Sequence, residues 1–160
     1  MKVFYSTEIS RFLSDKKINT IIDKLHQKTN ECRSRDFRPM CIRVLKNYGF
    51  VKQYTSSGSA VLFKNKKRKL IIKVGGVTSY SHCNTKKEVK YNTPKQAIPT
   101  IFSFLGSQKY IIRIQPLADV SEQSRKTAIE KLEKLAGVNS FDFHSHNVAM
   151  YRKKPVLIDW

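Results

Sequence analysis

The sequence predicts an α+β protein, and three observations carry that reading. Helical apolar spacing is confined to the first 48 residues and to a stretch near 121–136. Between them lie short runs rich in β-branched and aromatic residues, broken by turn residues. The order is therefore helices, five strands, a helix, a polar loop and a hairpin, which is segregated rather than alternating βαβ.

The elements follow in order. Ser6 or Thr7 can cap a short helix through Phe12 and Leu13. Ile18, Ile21, Ile22 and Leu25 recur at helical spacing for a second. Asp36 offers an N-cap for a third, with Pro39 in its first turn, Cys41, Val44 and Leu45 on its apolar side, and an end near Gly49. "GFVKQYTS", "SAVLFKN" and "KLIIKVG" then read as an antiparallel meander. Its breaks are Ser56, Ser57 and Gly58, and the basic run KNKKRK at 64–69. A polar stretch over 78–97 holds room for a short helix around 86–91. "TIFSFLG" and "KYIIRIQPL" complete five strands of one antiparallel sheet. Ser121 caps the clearest helix, which sets Ile129, Leu132 and Leu135 on one side and stops at Gly137. "NVAMY" and "PVLIDW" flank Arg152, Lys153 and Lys154 as a last hairpin. The chain thus divides into an N-terminal helical segment, 1–48, and a core, 49–160, forming one compact unit.

Composition bounds the partners. At 160 residues the chain is the length of one domain. No apolar run reaches the ~20 residues that span a bilayer, so no membrane role is expected. Cys32, Cys41 and Cys83 are too few and scattered for a disulfide framework or zinc knuckle, which points to a reducing cytoplasm. The net charge is +19, concentrated in residues 49–120, where thirteen Lys and Arg face two Asp and Glu. Such a field attracts polyanions: nucleic acid, nucleotide phosphates or an acidic protein surface. The run 64–69 is the natural contact for nucleic acid or an acidic partner, although aromatics are too sparse there for base stacking.

Three local features bear on chemistry. Lys73 stands in an otherwise apolar strand, LIIKVG, where a buried ammonium needs an anion. Plain alternation onto a wet face is the alternative. Ser57, Gly58 and Ser59 form a small-residue hairpin whose amides can approach a phosphate, or simply a β-turn. Asp142 and Asn147 lie five apart, and Asp159 follows twelve later at a strand end. A carboxylate and an amide oxygen suit Mg²⁺ better than zinc. His144 and His146, spaced i, i+2 with no nearby Cys, are a poor zinc pair.

Taken in sequence, a small-residue hairpin, a strand Lys, D-x-x-x-x-N and a hairpin ending in Asp follow the order of the protein kinases. "SGSAVLFKNKKRKLIIKVG" and "SFDFHSHNVAMYRKKPVLIDW" resemble the early host-takeover serine/threonine protein kinases of podophages over roughly 48–160. The resemblance implies a reduced kinase-like fold, ATP and Mg²⁺ as cofactors, and host proteins with acidic surfaces as partners in a bacterial host cytoplasm. It implies Asp142 as the catalytic Asp, Lys73 on the α- and β-phosphates, and Asn147 and Asp159 on Mg²⁺. Residues 56–60 would lie above the nucleotide, and Gln115 to Leu117 would form the adenine hinge. His144 would pack within the loop, and His146, beside the metal Asn, would reshape the site. Glu88, the one acidic residue between Lys73 and Asp119, is the default partner for Lys73. Ser140 and Phe141 replace the usual His-Arg, and neither an activation loop nor the large substrate lobe follows. Two other functions stay open: a pseudokinase acting as a basic protein that inhibits a host enzyme, and a nucleic-acid-binding protein.

Overall fold

The computed structural model describes residues 3–5, 16–53, 60–76, 95–106, 110–136 and 146–159. The short helix after Ser6, the helix near 86–91, and Ser57, Gly58, Ser59, Glu88, Asp142 and His144 lie outside the described residues. The fold is α+β. In chain order it comprises β1 (Val3–Tyr5), α1 (Lys16–Glu31), a 3-10 turn (Ser34–Asp36), α2 (Phe37–Asn47), β2 (Val51–Gln53), β3 (Ala60–Asn65) and β4 (Leu70–Gly76). There follow β5 (Ile101–Leu105), β6 (Tyr110–Pro116), α3 (Glu122–Ala136), β7 (Val148–Tyr151) and β8 (Lys154–Leu157).

All five strands expected between 49 and 117 form, in one antiparallel sheet. A sixth strand, β1, joins it from the segment read as helical, giving the order β1-β5-β6-β4-β3-β2. The outer edge of β5 would otherwise present unpaired N–H and C=O groups; pairing Phe4 with Phe102 covers it. Such pairing is non-local, so three residues give no local pattern from which to foresee it.

Alternation divides the sheet's two faces. One face presents Phe63, Ile72, Val74, Ile101, Leu105, Ile112 and Ile114. Against it pack Ile18, Ile21, Ile22 and Leu25 from α1 and Phe37, Met40, Cys41 and Leu45 from α2. Helical segment and sheet therefore share a single core. Asp36 does occupy the N-cap of α2, but in a helical conformation and without a side-chain capping bond. The opposite face carries polar residues in register: Leu62 pairs with Lys73, Lys73 with Arg113, and Arg113 with Phe102.

The β7–β8 hairpin covers part of that second face. It is tied to the chain before β5 by Ile98 N donating to Leu157 O at 2.8 Å. Asp119 and Met150 exchange backbone bonds of 2.9 and 3.0 Å. α3 packs on the hairpin through Ala128, Leu132, Val148 and Leu157. Its apolar stripe differs from the expected one: Ala128 and Leu132 are buried and Ile129 half-buried, whereas Leu135 is 67% exposed. Ser121 precedes this helix as foreseen, with Ser124 N donating to Ser121 Oγ at 3.4 Å. The stronger fastening is Asp119, which accepts Ser121 N at 2.9 Å and Ser124 Oγ at 2.6 Å. Those bonds hold the Asp119 carboxyl below its usual range. Among the described residues, no helix is long and apolar enough to cross a membrane.

Candidate functional site

The sheet places Lys73 at the middle of β4, with strands on both sides and the hairpin above. The face it points from is not wet: Lys73 is only 9% exposed. Its ammonium donates to Ile158 O at 2.7 Å and stands 3.6 Å from Asp159 Oδ1. Arg113, on the adjacent strand and 1% exposed, donates from Nη1 to the same carboxylate oxygen at 2.9 Å. Its guanidinium also lies 5.7 Å from the centre of the Phe102 ring. Gln115 continues the row: Nε2 donates to Ile158 O at 3.2 Å and to Thr100 Oγ1 at 3.1 Å. Three side chains of the sheet thus hold the two residues that follow β8.

Electrostatics follow from this crowding. Burial pulls the Lys73 ammonium down to about 8; Asp159 pushes the other way and Arg113 adds to the fall. Two buried cations share one carboxylate whose side chain is 52% exposed. The excess positive charge is fit for an incoming anion, and a further cation fits only when an anionic ligand comes with it. An ammonium has three N–H groups. Ile158 O engages one, which leaves donor capacity for a ligand.

Beside Lys73 lies a cavity of about 420 Å³, bounded by the sheet face, residues 115–120, the start of α3 and the hairpin's open end. Lys64, Lys73 and Arg125 line it, and among the described residues Asp159 is its one carboxylate. Arg125 Nε is buried there with no hydrogen-bond partner among the described residues. A buried N–H of this kind is costly unless an acceptor arrives. Sequence reading passed over Arg125. A signal existed: a cation in the first turn of a helix opposes the macrodipole, so its placement calls for another reason.

Of the expected site residues, the structure gathers Lys73, Gln115, Leu117 and Asp159 around this cavity, together with His146. Leu117 reaches it with its backbone N–H already committed to Lys69 O at 2.7 Å, so that donor is not open to an adenine ring. Gln115 is buried and its amide points at Thr100 and Ile158. Asn147 lies at the open end of the hairpin, where its carbonyl accepts Ile158 N at 2.8 Å, one residue before Asp159. Among the described residues, no three His, Cys, Asp or Glu side chains gather as a metal cage. An Asn and a single Asp fit Mg²⁺ only where a ligand's phosphates supply further oxygens. Lys73 finds its carboxylate in Asp159, 86 positions along the chain. No protein-family model, curated protein or solved structure matches the chain.

Proposed function

We propose that the chain is a minimal nucleotide-dependent phosphotransferase of the serine/threonine protein kinase type. The observation that carries this reading is the convergence of Lys73 and Asp159 on one basic cavity, from a central strand and from the end of a hairpin. Both were singled out from sequence position alone. A volume of about 420 Å³ suits a nucleotide, and its cationic lining suits the phosphates. Lys73 and Arg125 hold the phosphate oxygens, and Asn147 and Asp159 supply hard oxygen ligands to a phosphate-bound Mg²⁺. Asp142 orients the acceptor hydroxyl and takes its proton.

A second reading draws on the Arg113 contact. A carboxylate held at 2.9 Å by a buried guanidinium and faced by Lys73 is a weakened metal ligand. On that basis the site binds nucleotide without transferring phosphate, and the protein acts by occupying a partner.

Titration with a fluorescent ATP analogue in Mg²⁺ tests the common part. Binding should weaken about tenfold or more in Lys73→Met and in Arg125→Met. Wild-type protein that binds no nucleotide overturns both readings. With γ-labelled ATP, labelling of the protein or of added host proteins that disappears in Asp142→Asn supports the kinase. Binding without any label supports the second reading.

A further inference from the structure

A second concavity, of about 540 Å³, lies on the outside of the hairpin. It shares no lining residue with the Lys73 cavity. Its floor is apolar: Leu135 of α3, Tyr151 and Pro155 of the hairpin, with Pro99 opposite. Its rim carries Lys95, Arg152 and Lys154, and among the described residues no carboxylate lines it. Leu135 stays 67% exposed where a helix of this kind would ordinarily bury it.

One rim charge, Arg152, is held at a conformational cost. Arg152 and Lys153 form the two-residue turn of the hairpin with φ of 49° and 63°. Left-handed positions of this kind strongly favour Asn-Gly. Among the described residues the only other non-glycine with positive φ is Lys69, at 53°, in the turn between β3 and β4. All three are cations. One short segment bonds to both hairpins: Leu117 N donates to Lys69 O in the first turn, and Asp119 pairs with Met150 of β7, two residues before Arg152. Two basic turns 83 positions apart in sequence thus each keep charge where Asn or Gly would relax the backbone.

The geometry points to this groove as a docking site for an acidic peptide segment of a partner protein, with an apolar side chain seated against Leu135 and Tyr151. Charge complementarity selects the occupant. A second copy of a chain with net charge +19 would be repelled. Nucleic acid would use the cations but not an apolar floor of Leu135, Pro99 and Pro155. Acids flanking one apolar anchor use both, with the anchor burying area and the charges setting register and on-rate.

The test uses the full chain and a short fluorescein-labelled peptide in which Asp and Glu flank a single Phe, read by anisotropy. Binding is expected, weakened about tenfold by Leu135→Asp and by the pair Lys95→Glu with Lys154→Glu. A matched charge reversal on the far helix, Lys16→Glu with Lys24→Glu, should leave it within about twofold. Circular dichroism melts confirm that these variants, at exposed positions apart from the half-buried Lys24, stay folded. Replacing the peptide's Phe by Ser should also cost affinity. No peptide binding overturns the proposal. Equal loss from the far-helix reversal, or indifference to the Phe, reduces the effect to general attraction and overturns it as well. So does displacement of the peptide by equimolar single-stranded DNA, or a concentration-dependent dimer that Leu135→Asp abolishes. Nucleotide affinity is read separately, so failure here leaves the phosphotransferase reading to its own test.

Discussion

Replacing Lys73 by Met should make the protein more stable at neutral pH. Burial brings the folded-state pKa of Lys73 to about 8, against an ordinary 10.5. That gap corresponds to about 3 kcal/mol against the charged form at pH 7. Met has a similar length and no charge. Its introduction loses the bond to Ile158 O, worth about 1 kcal/mol, while Gln115 still donates to that carbonyl. Asp159 keeps Arg113 at 2.9 Å, so no carboxylate is stranded. The balance is a gain of about 1–2 kcal/mol, read from urea denaturation midpoints at constant m-value. The pH dependence is the sharper readout. Between about pH 8 and 10.5 the folded wild type has released the Lys73 proton and the unfolded chain has not. Wild-type stability therefore rises through that window by about 3 kcal/mol, so the advantage of Lys73→Met shrinks, passes through zero and becomes a deficit of about 1 kcal/mol towards pH 10.5. Titrations common to both proteins cancel in the difference. A variant less stable than wild type at pH 7, or an advantage that is constant from pH 7 to 10, would refute this account of the buried ammonium.

Three further outcomes follow from groups away from that site. Asn65 is buried, donates to Tyr48 O at 3.0 Å and accepts Arg68 N at 2.9 Å; Asn65→Ala should cost about 2 kcal/mol by the same denaturation assay. His26 lies 2.9 Å from the buried Ser103 hydroxyl, and burial lowers its pKa below the ordinary 6.5. The unfolded chain then binds the extra proton first, so stability should fall as pH drops below 6.5, and His26→Gln should flatten that loss in acid denaturation curves. Burial pushes the Cys41 thiol up to about 12, so iodoacetamide at pH 8 should label Cys32 and spare Cys41 in the native protein, as read by mass spectrometry of tryptic peptides.

Much of this architecture is legible in the chain because it depends on local period and composition. The meander over 51–76, the pair β5 and β6, the helix after Ser121 and the last hairpin all follow alternation, caps and turn residues. β1 escaped that reading because an edge strand is defined by its partner. Helical spacing sets Leu135 on the apolar side of its helix, but it does not say whether another element covers that side.

The site divides along the same line. Lys73 and Asp159 could be named from spacing, since strand position and distance along the chain are one-dimensional facts. Arg113, Arg125 and the commitment of the Leu117 amide to Lys69 could not. Each arises where segments far apart in sequence meet, and spacing along any one segment does not show such a meeting. By itself the sequence determined which segments alternate, where helices begin and how much positive charge the chain carries. Only the tertiary structure decided that Lys73 and Arg113 would share one carboxylate, because register across β4 and β6 brings their side chains onto one dry face.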